Sequence, residues 1–257
     1  MLLRTVLAAL GIGMAVAPEA DLGKGASTFD AEDALKRSYA AYAALTAYAD
    51  SGTVVEQTSG FQDKYAFRTY FTRQPRNLFL DFVDIGSEYN DGFKIKGTGQ
   101  TVFWMENGLL QTYSKKTQEH QTYPEDGGKQ VYALNSGNYS TKGVSVIVPS
   151  LLYTKAGMAS VIQATEEATA AGTETIDGQP CLKVTGIERW RYPSGQVTGV
   201  RPVTIWIDAK TYLIRKIFQD TPKAMTRGTI SRRTTTFRPY ANPSLEAGHF
   251  HFTVPEE

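Results

Sequence analysis

Three stretches of the chain carry side chains that could do chemistry. In "PVTIWIDAKTYLIRKIF" (Pro202 to Phe218), Trp206, Asp208 and Lys210 lie close together. A carboxylate beside an ammonium could exchange protons with a substrate. The same Asp also opens "DAKT" between two apolar runs, and Asp at the first position of a turn bonds the backbone two residues on. Turn chemistry is the expectation for Asp208. In "HFHF", His249 and His251 would share one face of a strand and could share a metal, but no third ligand stands nearby, so no metal site is expected. Glu166 and Glu167 are adjacent, and neighbours on a strand point to opposite faces, so they are not expected to work as a pair. Cys181 is the one cysteine and has no disulfide partner; a buried apolar thiol is expected. Gly128-Lys129 is followed by Gln130, which breaks the phosphate-loop pattern, and no Gly-x-Ser-x-Gly elbow occurs. No nucleophile and base can be assembled, so the chain reads as a non-enzyme without catalytic residues or cofactor.

The bulk properties narrow the class. The chain has 257 residues and a formal net charge of +1. That balance excludes a general nucleic-acid binder, which needs a cationic excess to displace counterions. It also excludes a polybasic membrane-surface protein. "MLLRTVLAALGIGMAVAPEA" has an early Arg4, an apolar run and then small residues, the outline of a secretory signal peptide over residues 1–20. Cleavage could follow Ala17 or Ala20. The run is short for a membrane span, and no later stretch approaches one, so an exported, periplasmic protein without a permanent span is expected.

The elements follow from periodicity. Asp30 caps a helix whose face carries Leu35, Tyr39, Tyr42 and Leu45. From Gly52 the period becomes two. Tyr65, Phe67 and Phe71 face one way and Arg68, Tyr70 and Thr72 the other; Leu78, Leu80 and Phe82 share a face. Asn107-Gly108 marks a hairpin. The middle of the chain predicts one or two short helices, including "PSLLYTKAG" (Pro149 to Gly157) with proline in its first turn. Strands then resume to the end, with "HFHFTV" as the last. Short turns between consecutive strands predict antiparallel meanders. The fold class is mainly β (α+β). Its core is an unclosed, strongly curved antiparallel half-barrel, with a long N-terminal helix and short helices over the concave face. Residues 21–257 are read as a single domain.

Strand after strand presents large apolar residues on one face, and a curved sheet capped by few helices leaves a concave apolar cavity. "FTRQPRNLFLDF" (Phe71 to Phe82), "GTGQTVFWMENGLLQTY" with Gly99, Gln100 and Trp104, "PSLLYTKAG" and "AGHFHFTVPEE" together resemble the lipoprotein carriers of the LolA/LolB type. "GQPCLKVTGIERW" and "PVTIWIDAKTYLIRKI" look like predicted periplasmic proteins that share that fold. The resemblance implies a half-barrel that holds hydrophobic ligands, lipoprotein acyl chains among them, and an alternative use of the same fold to hold an envelope protein partner. It also implies that an arginine at an Arg-Pro corner bonds the lid backbone. Arg73 is the match, with Gln74 inserted before Pro75 and Arg76 close by. The expected ligand-binding residues are Phe67, Phe71, Arg73, Leu78, Leu80, Phe82, Trp104, Ile205 and Ile207.

Overall fold

A computed structural model describes residues 29–106, 108–125, 127–137, 141–142, 144–153, 160–191, 196–221 and 231–256. The expected signal segment and Asn107 of the Asn-Gly turn lie outside the described residues. Helix α1 (Ala31–Ala44) starts where the sequence places it: the Asp30 carboxylate accepts the backbone N–H groups of Glu32 and Asp33 at 2.8 and 3.1 Å. These are two of the donors that a helix start leaves without an intrahelical partner. Leu35 and Tyr42 are buried along its inner face.

The chain then runs as an antiparallel meander through β1 (Ala47–Gln57), β2 (Phe61–Thr72), β3 (Asn77–Tyr89), β4 (Lys94–Lys96), β5 (Gln100–Glu106), β6 (Leu109–Ser114) and β7 (Glu119–Tyr123). Three helices follow: α2 (Gly127–Ser136), α3 (Val144–Leu152) and α4 (Val161–Ala164). A second meander has β8 (Thr165–Ile176), β9 (Gln179–Arg191), β10 (Val197–Asp208), β11 (Ile214–Thr221), β12 (Ser231–Phe237) and the short β13 (Tyr240–Ala241). Strand β12 returns to pair with β1, Val54 opposite Thr235. The two meanders therefore share one 13-stranded sheet in the order β7-β6-β5-β3-β2-β1-β12-β11-β10-β9-β8, with β4 on β3 and β13 on β1. Strands β7 and β8 end the sheet and do not pair with each other, so the half-barrel stays open, as expected.

Alternation gives the sheet two apolar faces. Helices α1 to α4 cover one of them, where Phe67, Phe71, Leu78, Leu80, Phe82, Ile205 and Ile207 pack with Tyr42, Leu45, Val148, Leu151 and Leu152. Gly52 is required here: a Cβ on it would fall 2.3 Å from the Phe67 ring, which crosses its strand to meet Phe237 edge-on at 5.7 Å. The outer face carries a smaller cluster of Phe79, Val102, Trp104, Tyr113 and Phe250.

Four expectations are corrected. "HFHFTV" is not a strand: Ala247–Phe250 is a short 3-10 helix and the residues after it are extended without a ladder partner. This segment lies on the outer face through Phe250, Phe252 and Val254, so its alternation reflects one-sided packing and not pairing. His249 and His251 accordingly part company, His249 hydrogen-bonding Glu246 and His251 lying 3.6 Å from Glu106. Pro149 sits inside α3, which begins five residues earlier at Val144. Among the described residues three helices, not one or two, join the meanders. Finally, β8 is irregular between Glu166 and Thr169, and Glu167 has a φ of 55°. The bulge brings both glutamates onto Arg189, at 2.8 Å for Glu166.

Candidate functional site

Each strand near the sheet centre reads apolar along the helix-covered face and then changes to polar at one end. On β10 the face runs Ile207, Ile205, Val203 and then Arg201; on β1 it runs Val54 and then Glu56; on β11, Ile217 and then Gln219. The register aligns these changes. Glu56 lies opposite Arg233, Arg233 opposite Gln219, and Arg201 opposite Glu188. A polar belt therefore crosses β1, β12, β11, β10 and β9 at one end of the face.

The belt is held by short contacts. Arg233 donates to Glu56 Oε1 at 2.9 Å, and Lys142 Nζ lies 2.9 Å from Glu56 Oε2. Ser231 Oγ adds a bond to Oε1 at 3.3 Å. Arg201 Nε and Gln219 Nε2 both donate to Glu188 Oε2, at 2.6 and 2.8 Å. The Trp190 ring lies against the Arg201 guanidinium, 4.3 Å from its centroid. Burial works against the Glu56 charge, and Arg233 and Lys142 outweigh it, so the carboxyl is held below its usual range. Burial draws Arg201 below its ordinary value, with Glu188 opposing.

A cavity of about 670 Å³ lies over this belt. Its floor includes Glu56, Glu188, Arg201 and Arg233, and its roof is apolar, with Val146 and Ile147 of α3 and Val161 and Ala164 of α4. The volume is within the range of small-molecule sites. The arrangement can hold an amphiphile, with polar atoms on the sheet and an apolar body beneath the helices.

None of the nine expected ligand-binding residues lines this cavity. Phe67, Phe71, Leu78, Leu80, Phe82, Ile205 and Ile207 share the helix-covered face as the alternation implied, but helix side chains fill the space in front of them. Trp104 is on the other face, among Phe79, Val102 and Tyr113, stacked on His120 at 5.5 Å. Phe103 and Met105 take the inner positions instead. Both faces of β5 are apolar, so alternation alone could not choose between them.

Arg73 does not line this cavity but joins the helices. Its Nε donates to Leu45 O at 2.8 Å, and one terminal nitrogen donates to Tyr42 O and Leu152 O, both at 3.2 Å. Tyr42 is in the last turn of α1, Leu45 is its C-cap and Leu152 ends α3. One guanidinium thus serves the unsatisfied carbonyl ends of two helices, where positive charge also complements the helix dipoles. Arg76 is engaged elsewhere, with Glu125 and over Tyr153. Asp208 is turn chemistry: Oδ1 accepts the N–H groups of Lys210 and Thr211, and Arg215 holds Oδ2. The belt residues went unnoticed in the sequence because each is a lone charge at a strand end, and only register brings them together.

Residues 111–231, just under half of the chain, match the family model described as LppX_LprAFG lipoprotein. Among solved structures, LprF from Mycobacterium bovis aligns at 17% identity and a TM-score of 0.45, covering 88% of this chain and 96% of its own. The lipoprotein LppX of Mycobacterium tuberculosis aligns at 17% identity and 0.43, covering 84% and 96%. A LolA superfamily protein from Nitrosomonas europaea aligns at 9% identity and 0.31, covering 87% and 98%. No curated protein matches the chain in sequence. The chain is thus similar, from β6 to the start of β12, to the LppX_LprAFG lipoproteins.

Proposed function

We propose that the protein is an exported periplasmic carrier or binder of lipid-like hydrophobic ligands, lipoprotein acyl chains among the candidates, and not an enzyme. The observation that carries this reading is the cavity of about 670 Å³ between the polar belt and the apolar undersides of α3 and α4. Residues 21–257 act as one domain in this reading, after removal of residues 1–20. The apolar face bearing Phe67, Phe71, Leu78, Leu80, Phe82, Ile205 and Ile207 is the extension into which acyl chains pass when α3 and α4 lift, and Arg73 holds the helices down until then. Burial of chain methylenes drives binding, at about 25 cal/mol per Å² before ordering costs.

Native mass spectrometry of the purified mature protein tests the reading directly. Co-purified lipid, or uptake of a fluorescent fatty acid, is expected. Protein that is consistently empty and takes up no fatty acid sinks it. A second reading, a module that holds an envelope protein partner, is favoured by the filling of the apolar face by helix side chains. It predicts a partner captured by cross-linking in the envelope whether or not lipid is present.

A further inference from the structure

The cavity-side face of the sheet continues past the cavity mouth. Nine large apolar side chains are exposed among the described residues, and five of them, Val83, Ile85, Tyr89, Phe93 and Ile95, fall on β3, β4 and the turn between them. Such a concentration marks a surface with a use. Register gives its direction. Phe61 and Asp63 line the cavity. Phe61 is paired with Tyr89, Asp63 with Ser87, and Ser87 in turn with Ile95. Directly opposed side chains share a face, so Tyr89 and Ile95 lie on the cavity side. The Phe61 and Tyr89 rings are 5.6 Å apart and the Tyr89 and Phe93 rings 5.9 Å, so an aromatic strip runs outward from the cavity wall. Exposure rises along it, from half-buried Phe61 through Tyr89 at 38% to Phe93 at 61%, with Ile95 at 48% alongside. None of the four belongs to the core cluster beneath the helices. Backbone bonds fix the strip. The Tyr89 N–H donates to Phe93 O at 2.8 Å, Asp91 Oδ1 accepts the Phe93 N–H at 3.0 Å, and Asn90 donates to Ser59 O and Gly60 O in the neighbouring turn.

We propose that the strip of Phe61, Tyr89, Phe93 and Ile95 is a docking surface for a zwitterionic lipid bilayer, which sets the cavity mouth against the membrane so that a ligand passes between the two without crossing water. The proposal rests on the binder reading above for its purpose, while the docking itself is measured without a ligand. Size favours a bilayer over a protein. A stable protein partner or a second copy needs roughly 20–30 residues a side. Four side chains in a strip fall far short of that, whereas anchoring at a membrane interface scales simply with the apolar area that enters it. Charge points the same way. The ends of β2 and β3, the turn and β4 carry Lys64, Lys94 and Lys96 against Asp63, Glu88 and Asp91. Each carboxylate is engaged: Asp63 by Ser87 Oγ, Glu88 by Lys64 and Lys94 at 2.9 and 3.4 Å, and Asp91 by the Phe93 N–H. Register puts Glu88 and its partner Lys94 on the opposite face, away from the strip. The balance matches a surface without net charge, so anionic lipid is not required. A Phe at the exposed end with a Tyr behind it presents apolar bodies and one polar tip, the chemistry suited to a membrane–water boundary.

The test floats the full mature chain with vesicles of pure dioleoylphosphatidylcholine and of an equal mixture with dioleoylphosphatidylglycerol. The wild type is expected to float with both to a similar extent, and raising the salt should not release it. Combining Phe93→Ser with Ile95→Ser should lower partitioning at least about tenfold, since two apolar side chains no longer enter the bilayer. Both positions are exposed, so the urea midpoint should hardly move. Tyr240, as exposed as Phe93, pairs at the other end of β1, and Tyr240→Ser should leave flotation unchanged. A wild type that does not float, that floats only with the anionic mixture, or that is released by salt overturns the docking surface. Equal losses in the double variant and in Tyr240→Ser overturn it too. A wild type that stays off the vesicles but forms a dimer, lost in the double variant, assigns the strip to a second copy and overturns the bilayer as its partner. Flotation without uptake of a fluorescent fatty acid upholds the docking surface and overturns the binder reading. Uptake without flotation does the reverse.

Discussion

At the scale of single residues, local chemistry was legible and facing was not. Asp208 could be assigned to its turn because its partners, Lys210 and Thr211, are two and three residues away. Trp104 could not be assigned, since "VFWM" is apolar on both sides and the choice of face depends on strands far away in sequence. Asp50 gave no signal at all. It is buried, accepts Tyr48 Oη at 3.0 Å and the Arg238 N–H at 2.9 Å, and burial raises its pKa from 3.8 to about 7. A carboxyl whose pKa is raised by folding stabilises the fold fully below its unfolded value. That contribution is lost as pH climbs through the folded value. Asp50 therefore makes the protein less stable as pH rises from about 4 to about 7, with no further loss above. Glu56 and Asp208, both lowered, act in the opposite direction and lose their contribution as pH falls. The Asp50 part is isolated by difference. In Asp50→Asn, the urea midpoint should fall less between pH 4.5 and pH 8 than in the wild type, by an amount equivalent to a few kcal/mol at most. Parallel pH profiles for the two proteins would refute the assignment.

At the scale of elements, helix α1 and the hairpins follow from capping and alternation, and the structure reproduces both. The C-terminal segment misled because alternating Phe is also what a strap needs when it lies on an apolar face. Phe250, buried against Trp104 and its neighbours, should be its main anchor. Phe250→Ala is expected to destabilise by about 3 kcal/mol in urea unfolding, the usual cost of emptying a buried aromatic site. It should also shift Trp104 fluorescence to the red. A loss below about 0.5 kcal/mol, the level of an ordinary surface change, would mean the strap is dispensable. Arg73 makes the complementary case, because its importance lies in joining two elements. Arg73→Met strips an acceptor bond from Tyr42, Leu45 and Leu152 together. A loss of about 2–3 kcal/mol is expected, since hydrogen bonds to charged groups and the helix-dipole contribution go together. Hydrogen exchange should accelerate in the last turns of α1 and α3 and not in β9 or β10. Uniform acceleration would show general destabilisation and no clasp.

At the scale of the whole molecule, the sheet was legible and the cavity was not, and the reason is the distance over which register acts. A hairpin declares itself within a dozen residues. Glu56 and Arg233 meet only because the second meander returns to the first and pairs β12 with β1. Arg201 and Glu188 already face each other across the β9–β10 pairing, and it is the closure through β11 and β12 that brings them to the same end of the face as Glu56. Nothing near these residues in sequence announces a belt. The resulting cavity lies between that belt and the paired helices, so blocking it should separate binding from folding. Val146, on α3, is half-buried and lines the roof. Val146→Trp adds an aromatic side chain toward a space of about 670 Å³, which can accept it without overpacking the filled part of the core. Stability should change by less than about 1 kcal/mol. Uptake of a fluorescent fatty acid should fall at least about tenfold, since the roof no longer offers the apolar body of a ligand a place to lie. A variant that folds normally and still binds at the wild-type level would place the ligand elsewhere, on the apolar face that the helices now fill. In that case Phe71→Ala, deep on that face, would weaken binding where Val146→Trp had not.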